Sequence, residues 1–157
     1  MKLDHEDHKF ECICDLYKNL NITQAVIFCN MRKNAEMLAN KMGDQGFPIA
    51  CIHGELPKAE RAQRMKDFLS GDCRVLVSTD MLGRGIDVQQ VSLVINYELP
   101  EVMESYVHRI GRAGRFGRKG TTINLIGKNE EGLMGEIAKK FGMEMNPLPG
   151  DLKALNL

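Results

Sequence analysis

The sequence predicts an α/β domain built on an open parallel sheet with helices on both faces. Five short runs rich in β-branched residues alternate with longer stretches of helical period, as repeated βαβ units require. These runs are apolar almost throughout, the pattern of strands buried on both faces. The 157 residues suit one domain, 1–157, long enough to bury a core without disulfide or metal staples.

An amphipathic helix opens the chain, with Phe10, Ile13, Tyr17 and Leu20 at i, i+3, i+7 and i+10. His5, His8, Cys12 and Cys14 lie in or beside it, but C-x-C is not a usual zinc spacing, and the cluster is assigned to the helix with no metal site expected. A strand over 25–29 (AVIFC) precedes a helix striped by Ala35, Leu38 and Met42, with Gly46 as its stop signal. A strand over 49–53 (IACIH) precedes a second striped helix carrying Ala62, Met65 and Leu69, stopped at Gly71. Strands follow at 74–79 (RVLVST) and 93–98 (LVINYE), then a helix after Pro100 running through Tyr106 to Ile110. A strand over 121–126 (TTINLI) leads to a last helix, opened by Asn129 as N-cap and ending at Phe141 before Gly142. Residues 143–157 read as an irregular tail.

Lys and Arg together number 21, as do Asp and Glu, so bulk positive charge is not what would hold a nucleic acid; any such site is local. The five cysteines include no C-x-x-C pair and read as buried free thiols of a reducing compartment. The longest apolar runs fall far below the roughly 18 residues of a membrane span. A soluble, cytoplasmic protein is expected, with the nucleus as the alternative location and no membrane partner.

In open α/β sheets ligands bind at the carboxyl ends of the strands. That rule directs attention to Cys29-Asn30, His53-Gly54, Thr79-Asp80 and the segment after Asn96-Tyr97. Residues 108–117 read HRIGRAGRFG, with Arg109, Arg112 and Arg115 at every third position and Gly111 and Gly114 between them. A guanidinium meets phosphate as a planar fork, and glycines let the backbone close on a ligand. Arg118 and Lys119, just beyond, read as a solvated flank. In 75–88 (VLVSTDMLGRGIDV) a strand ends in Ser78, Thr79 and Asp80 before Gly83, Arg84, Gly85 and Asp87, a set in which hydroxyls and glycine amides suit a phosphate and the carboxylate suits sugar hydroxyls.

Taken together, VIFCN (26–30), IHG (52–54), STDMLGRGIDV (78–88), VINYELP (94–100) and YVHRIGRAGRFGRKG (106–120) resemble, in order and spacing, the C-terminal RecA-like domain of DEAD-box RNA helicases. ITQAVIFCN and DVQQVSLVINY look most like the branch of eukaryotic translation initiation factor 4A. The resemblance implies that Arg112 and Arg115 are arginine fingers on the γ-phosphate of ATP, and that Asp87, with Gly85 beside it, meets the ATP ribose. It implies RNA phosphate contacts at Thr79 and the Gly54 amide, joined by Arg61 and the loop at Asn30. His108, Arg109 and Arg84 would couple these motifs to one another and to a partner domain. The chain departs from the family's pattern at Lys58, where a Gln is common, and at Gly83, where an Ala is common.

No G-x-x-x-x-G-K-[ST] loop occurs, and no Asp-Glu pair follows a strand. ATP and Mg2+ are therefore expected to be held mainly by an N-terminal RecA-like domain of the same protein. The other implied partners are single-stranded RNA and a helical-repeat scaffold protein. A silent RNA-binding module and a DNA-directed translocase of the same superfamily remain as alternative readings. The isolated chain is expected not to turn over ATP.

Overall fold

A computed structural model describes residues 2–3, 6–80, 91–111, 113 and 120–155. In chain order the elements are β1 (Lys2–Leu3), α1 (Glu6–Asn19), β2 (Ala25–Phe28), α2 (Arg32–Asp44), β3 (Ile49–Ile52), α3 (Lys58–Ser70), β4 (Val75–Ser78), β5 (Leu93–Asn96), α4 (Met103–Ile110), β6 (Thr121–Asn124), β7 (Ile126–Gly127) and α5 (Glu131–Phe141). Five strands form one parallel sheet in the order β3-β4-β2-β5-β6, and β1 pairs with β7 in a separate two-stranded parallel ladder. The fold is the α/β architecture expected from the sequence.

Successive side chains of a strand point to opposite faces, so each central strand feeds two cores. On one face Ala25, Ile27, Val75, Val77, Leu93 and Ile95 pack with Ile13 and Leu16 of α1 and Ala35, Leu38 and Met42 of α2. On the other, Val26, Phe28, Leu76 and Val94 pack with Met65 and Phe68 of α3. A third cluster, Leu99, Tyr106, Met134 and Ile137, joins α4 to α5. Gly71 ends α3 in the left-handed region at φ 90°, donating its N–H to Phe68 O, and Gly142 ends α5 at φ 61°. Only glycine adopts that conformation without steric cost, which is why both sit where the helices stop.

Four expectations need correction. The last strand run does not stay whole: β6 ends at Asn124, and after Leu125 the chain turns away to pair Ile126 with Lys2. The inward face of α3 carries Met65 and Phe68, while Leu69 is 45% exposed and Ala62 faces solvent. Two apolar stripes compete on this helix, and the one carrying the aromatic ring buries more area. The final helix is not capped by Asn129. A 3₁₀ turn over Lys128–Glu130 precedes it, and the Glu130 carboxylate accepts the Gly127 N–H at 2.8 Å. Lastly, the tail is part of the packing: Leu148, Leu152 and Leu155 lie against the main core, and Leu152–Leu155 form a 3₁₀ turn.

The same glutamate anchors α1. Lys9, only 4% exposed, donates to Glu130 Oε2 at 3.0 Å and to the Tyr97 carbonyl at 2.9 Å. A buried ammonium is tolerated only when paired and hydrogen-bonded in this way.

Candidate functional site

β2 and β5 lie side by side, yet their outgoing connections leave in opposite directions: α2 leads to β3 at one edge, α4 to β6 at the other. Such a switch point opens a crevice at the carboxyl ends of the strands. Arg109 of α4 fills its floor. It is 1% exposed, and it forks onto Asp80 through Nε and through Nη2, the latter at 2.8 Å from Oδ2. Nη2 also donates to Asn30 Oδ1 at 2.7 Å, and Nη1 to the Glu98 carbonyl at 2.6 Å and to Asn96 Oδ1 at 3.4 Å. The guanidinium lies over the Phe28 ring, 5.3 Å from its centroid. One arginine thus joins the chain leaving β2, β4 and β5, which a lysine, lacking the planar fork, could not do.

The surrounding polar groups are ordered by the same network. Asn30 donates its amide to the Leu99 carbonyl at 2.8 Å, and its backbone N–H to Glu98 Oε2 at 2.6 Å. Asn34 of α2 holds the other oxygen of Glu98. Asn96 donates to Asn124 Oδ1 at 2.8 Å, and Asn124 donates to the Tyr106 hydroxyl at 2.9 Å. Burial pushes the Tyr106 phenol up, and the Asn124 bond offsets part of that.

The other expected contacts follow the same edge. Asn30, Gly54 and Thr79 come within two residues of the ends of β2, β3 and β4, which are neighbours in the sheet, so the three lie along one edge. Thr79 is half-buried, whereas Gly54 is exposed, and a Cβ added there would meet nothing within 4 Å. Arg61 is half-buried in the first turn of α3, and Lys58, at the start of that helix, is exposed. His108 faces solvent on α4, beside the buried Arg109. Arg84, Gly85, Asp87, Arg112 and Arg115 lie outside the described residues, as do Gly83, Gly114 and the flank of Arg118 and Lys119. A parallel bridge pairs Val91 with Ala113.

Sequence reasoning assigned no role to Asp80, Glu98 or Glu36. Asp80 and Glu98 were legible as polar residues where apolar strands end; Glu36, on a helix surface, carried no such signal. The oxygens of Asp80 and Glu98 are engaged by Arg109, Asn30 and Asn34. Among the described residues, no group of three or more histidines, cysteines and carboxylates gathers as metal ligands, and no helix is long and apolar enough to cross a membrane.

A family model described as the helicase conserved C-terminal domain matches residues 8–117. The chain is 54% identical over 155 residues to the ATP-dependent RNA helicase eIF4A of Candida albicans, an alignment covering 99% of this chain and 39% of that protein. It is 50% identical over 156 residues to the ATP-dependent RNA helicase FAL1 of Eremothecium gossypii, with the same two coverages of 99% and 39%. The chain therefore spans about two-fifths of the length of these curated relatives. Among solved structures it resembles the C-terminal domain of the DEAD-box protein Dbp5, with 36% identity, a TM-score of 0.85, and 99% of this chain and 92% of that one covered. It also resembles Saccharomyces cerevisiae Dbp5 bound to RNA and ADP BeF3, with 37% identity, a TM-score of 0.91, and coverages of 99% and 43%.

Proposed function

The chain belongs to the helicase conserved C-terminal domain family, in its DEAD-box branch, and from that premise we propose that it is the half of an ATP-dependent RNA helicase that completes the ATP site and carries part of the RNA path. The observation that carries the RNA half is the placement of Asn30, Gly54 and Thr79 along one edge, near three adjacent strand ends. With Arg61 of α3 beside them, they offer an amide, a hydroxyl, an open glycine edge and a guanidinium to a phosphate backbone. Phosphate and sugar carry no base identity, so this surface binds without sequence preference.

In the ATP half, Arg112 and Arg115 act as arginine fingers, Asp87 meets the ribose, and Gly85 belongs to the same ATP-binding segment. His108 and Arg84 couple this domain to a second, N-terminal RecA-like domain that holds most of the nucleotide. Magnesium, which would offset the negative charge of the phosphates, would be held mainly by that second domain. Arg109 contributes by rigidity: because it is locked at the strand ends, the arginines that follow it start from a fixed point. ATP and single-stranded RNA close the two domains on each other, and hydrolysis reopens them. A helical-repeat scaffold protein is the further partner proposed, and the cytoplasm, with the nucleus as the alternative, the site of action.

Two measurements test this reading. The purified 157-residue chain has no RNA-stimulated ATPase, so steady turnover by it, with contaminating ATPases excluded, contradicts the half-enzyme assignment. In the helicase that carries this chain, RNA stimulates hydrolysis and DNA does not; the reverse result assigns it to a DNA translocase.

A further inference from the structure

His53 is 4% exposed at the end of β3, immediately before Gly54. Its Nε2 lies 2.9 Å from Glu36 Oε1 on α2, and its Nδ1 accepts the Glu55 N–H at 3.3 Å. Its carbonyl accepts the Leu56 N–H at 3.3 Å, which closes a turn over residues 53–56. The carboxylate of Glu55 pairs with Arg32, the first residue of α2.

These partners fix the chemistry of the ring. A backbone N–H can only donate, so Nδ1 carries a lone pair; a carboxylate only accepts, so the proton sits on Nε2. The ring thus uses its two nitrogens in opposite senses. It links the turn to α2 at one nitrogen and shapes the turn at the other.

We propose that His53 is a positioning residue: through the Glu36–His53–Glu55 relay it sets the turn that presents the Gly54 edge to an RNA phosphate. The inference rests on the reading of Gly54 as an RNA contact. His53 itself touches no ligand; it acts through the orientation of Gly54 and Glu55.

Two substitutions separate the ring's functions. Asn places an amide oxygen near the position of Nδ1, keeping the acceptor for Glu55 while losing reach to Glu36. Gln places its amide nitrogen near the position of Nε2, keeping Glu36 while losing the acceptor. In the full-length helicase carrying this chain, the concentration of single-stranded poly(U) that half-saturates ATP hydrolysis is measured alongside maximal turnover and melting temperature. His53→Gln raises that concentration about three- to tenfold, the loss of one well-placed hydrogen bond, with maximal turnover within about twofold of the parent. His53→Asn restores most of the loss. If Asn and Gln both behave as the parent, or if both lower turnover and melting temperature together, the positioning role is overturned. Arg61→Ala and Thr79→Val, measured in parallel, separate this inference from the reading beneath it. If they leave half-saturation unchanged, the RNA surface itself is misassigned; if they raise it while His53→Gln does not, only the role of His53 falls.

Discussion

Arg109 and Asp80 form a two-pronged ion pair in which the arginine is 1% exposed while the Asp80 side chain remains 38% exposed. The arginine has left water almost completely and depends on its acceptors; the aspartate keeps part of its hydration. Breaking a buried pair from the buried side costs most, because the polar groups around it lose their partner as well.

Arg109→Ala therefore lowers the unfolding free energy by about 3–5 kcal/mol, leaving Asn30, Asp80 and the Glu98 carbonyl without their donor. Arg109→Lys recovers only part of this, having one nitrogen where the site uses three. Asp80→Asn costs less than Arg109→Ala, because one prong keeps an acceptor and Asn30, Asn96 and the Glu98 carbonyl keep their donor, although the new amide N–H2 opposes the second prong. Urea denaturation of the three variants checks the order. Equal losses for Asp80→Asn and Arg109→Ala contradict it.

A second prediction concerns alkaline pH. Burial pushes the Cys51 thiol up to about 11 and raises Cys12 and Cys73 as well. Tyr17 is raised by burial too, and its hydroxyl finds no hydrogen-bond partner among the described residues. In the unfolded chain thiols ionise near about pH 8.5 and phenols near about 10. Above those values the unfolded state holds fewer protons than the native one, so stability is full below about pH 8 and falls as pH rises. Urea midpoints under reducing conditions decline from about pH 9 upward, and Cys51→Ala flattens the decline. Tyr17→Phe is neutral or stabilising at pH 7, because it removes a buried hydroxyl that has no partner. A midpoint that rises through this range contradicts the assignment of these groups.

The alternation of strand and helix, and the buried faces of the strands, could be read from the sequence because burial on two sides leaves an unbroken apolar run. The face of α3 could not: Ala62, Met65 and Leu69 keep helical spacing as well as Met65 and Phe68 do, and only contact with β3 and β4 decides between them. Nor could the burial of Arg109 be read. Its acceptors come from residues 30, 80, 96 and 98, far apart in the chain, and spacing alone made it one of three equivalent forks. The polar Asn96 and Asn124 within strands, and Asp80 and Glu98 where strands end, were the local signs of a buried network. Leu148, Leu152 and Leu155 keep the i, i+4, i+7 spacing of a helix, but Pro147, Pro149 and Gly150 interrupt the run, so the segment looked like a tail, and its packing depends on where the chain runs after α5.

RNA binding supplies a third prediction. The contacts proposed at Asn30, Gly54, Arg61 and Thr79 are to phosphates, so Arg61→Ala and Thr79→Val weaken poly(U), poly(A) and mixed sequences alike. Affinity falls steeply with salt, and Arg61→Ala lowers the salt slope by about one. Discrimination among homopolymers that disappears in either variant would mean that bases are being read.

The central claim is that Arg112 and Arg115 stabilise the charge that develops on the transferring phosphoryl group. An arginine finger contributes about 10³–10⁵ in kcat, or roughly 4–7 kcal/mol of transition-state stabilisation, far beyond what a solvated surface arginine provides. The decisive measurement is single-turnover ATP hydrolysis on RNA by the full-length helicase carrying Arg112→Ala or Arg115→Ala, with Arg118→Ala as the control. The two finger variants lose nearly all hydrolysis while still folding and closing on RNA, lysine rescues neither, and the control loses little. Rates within a few-fold of the parent in both finger variants, with closure intact, would contradict the placement of these arginines at the ATP site.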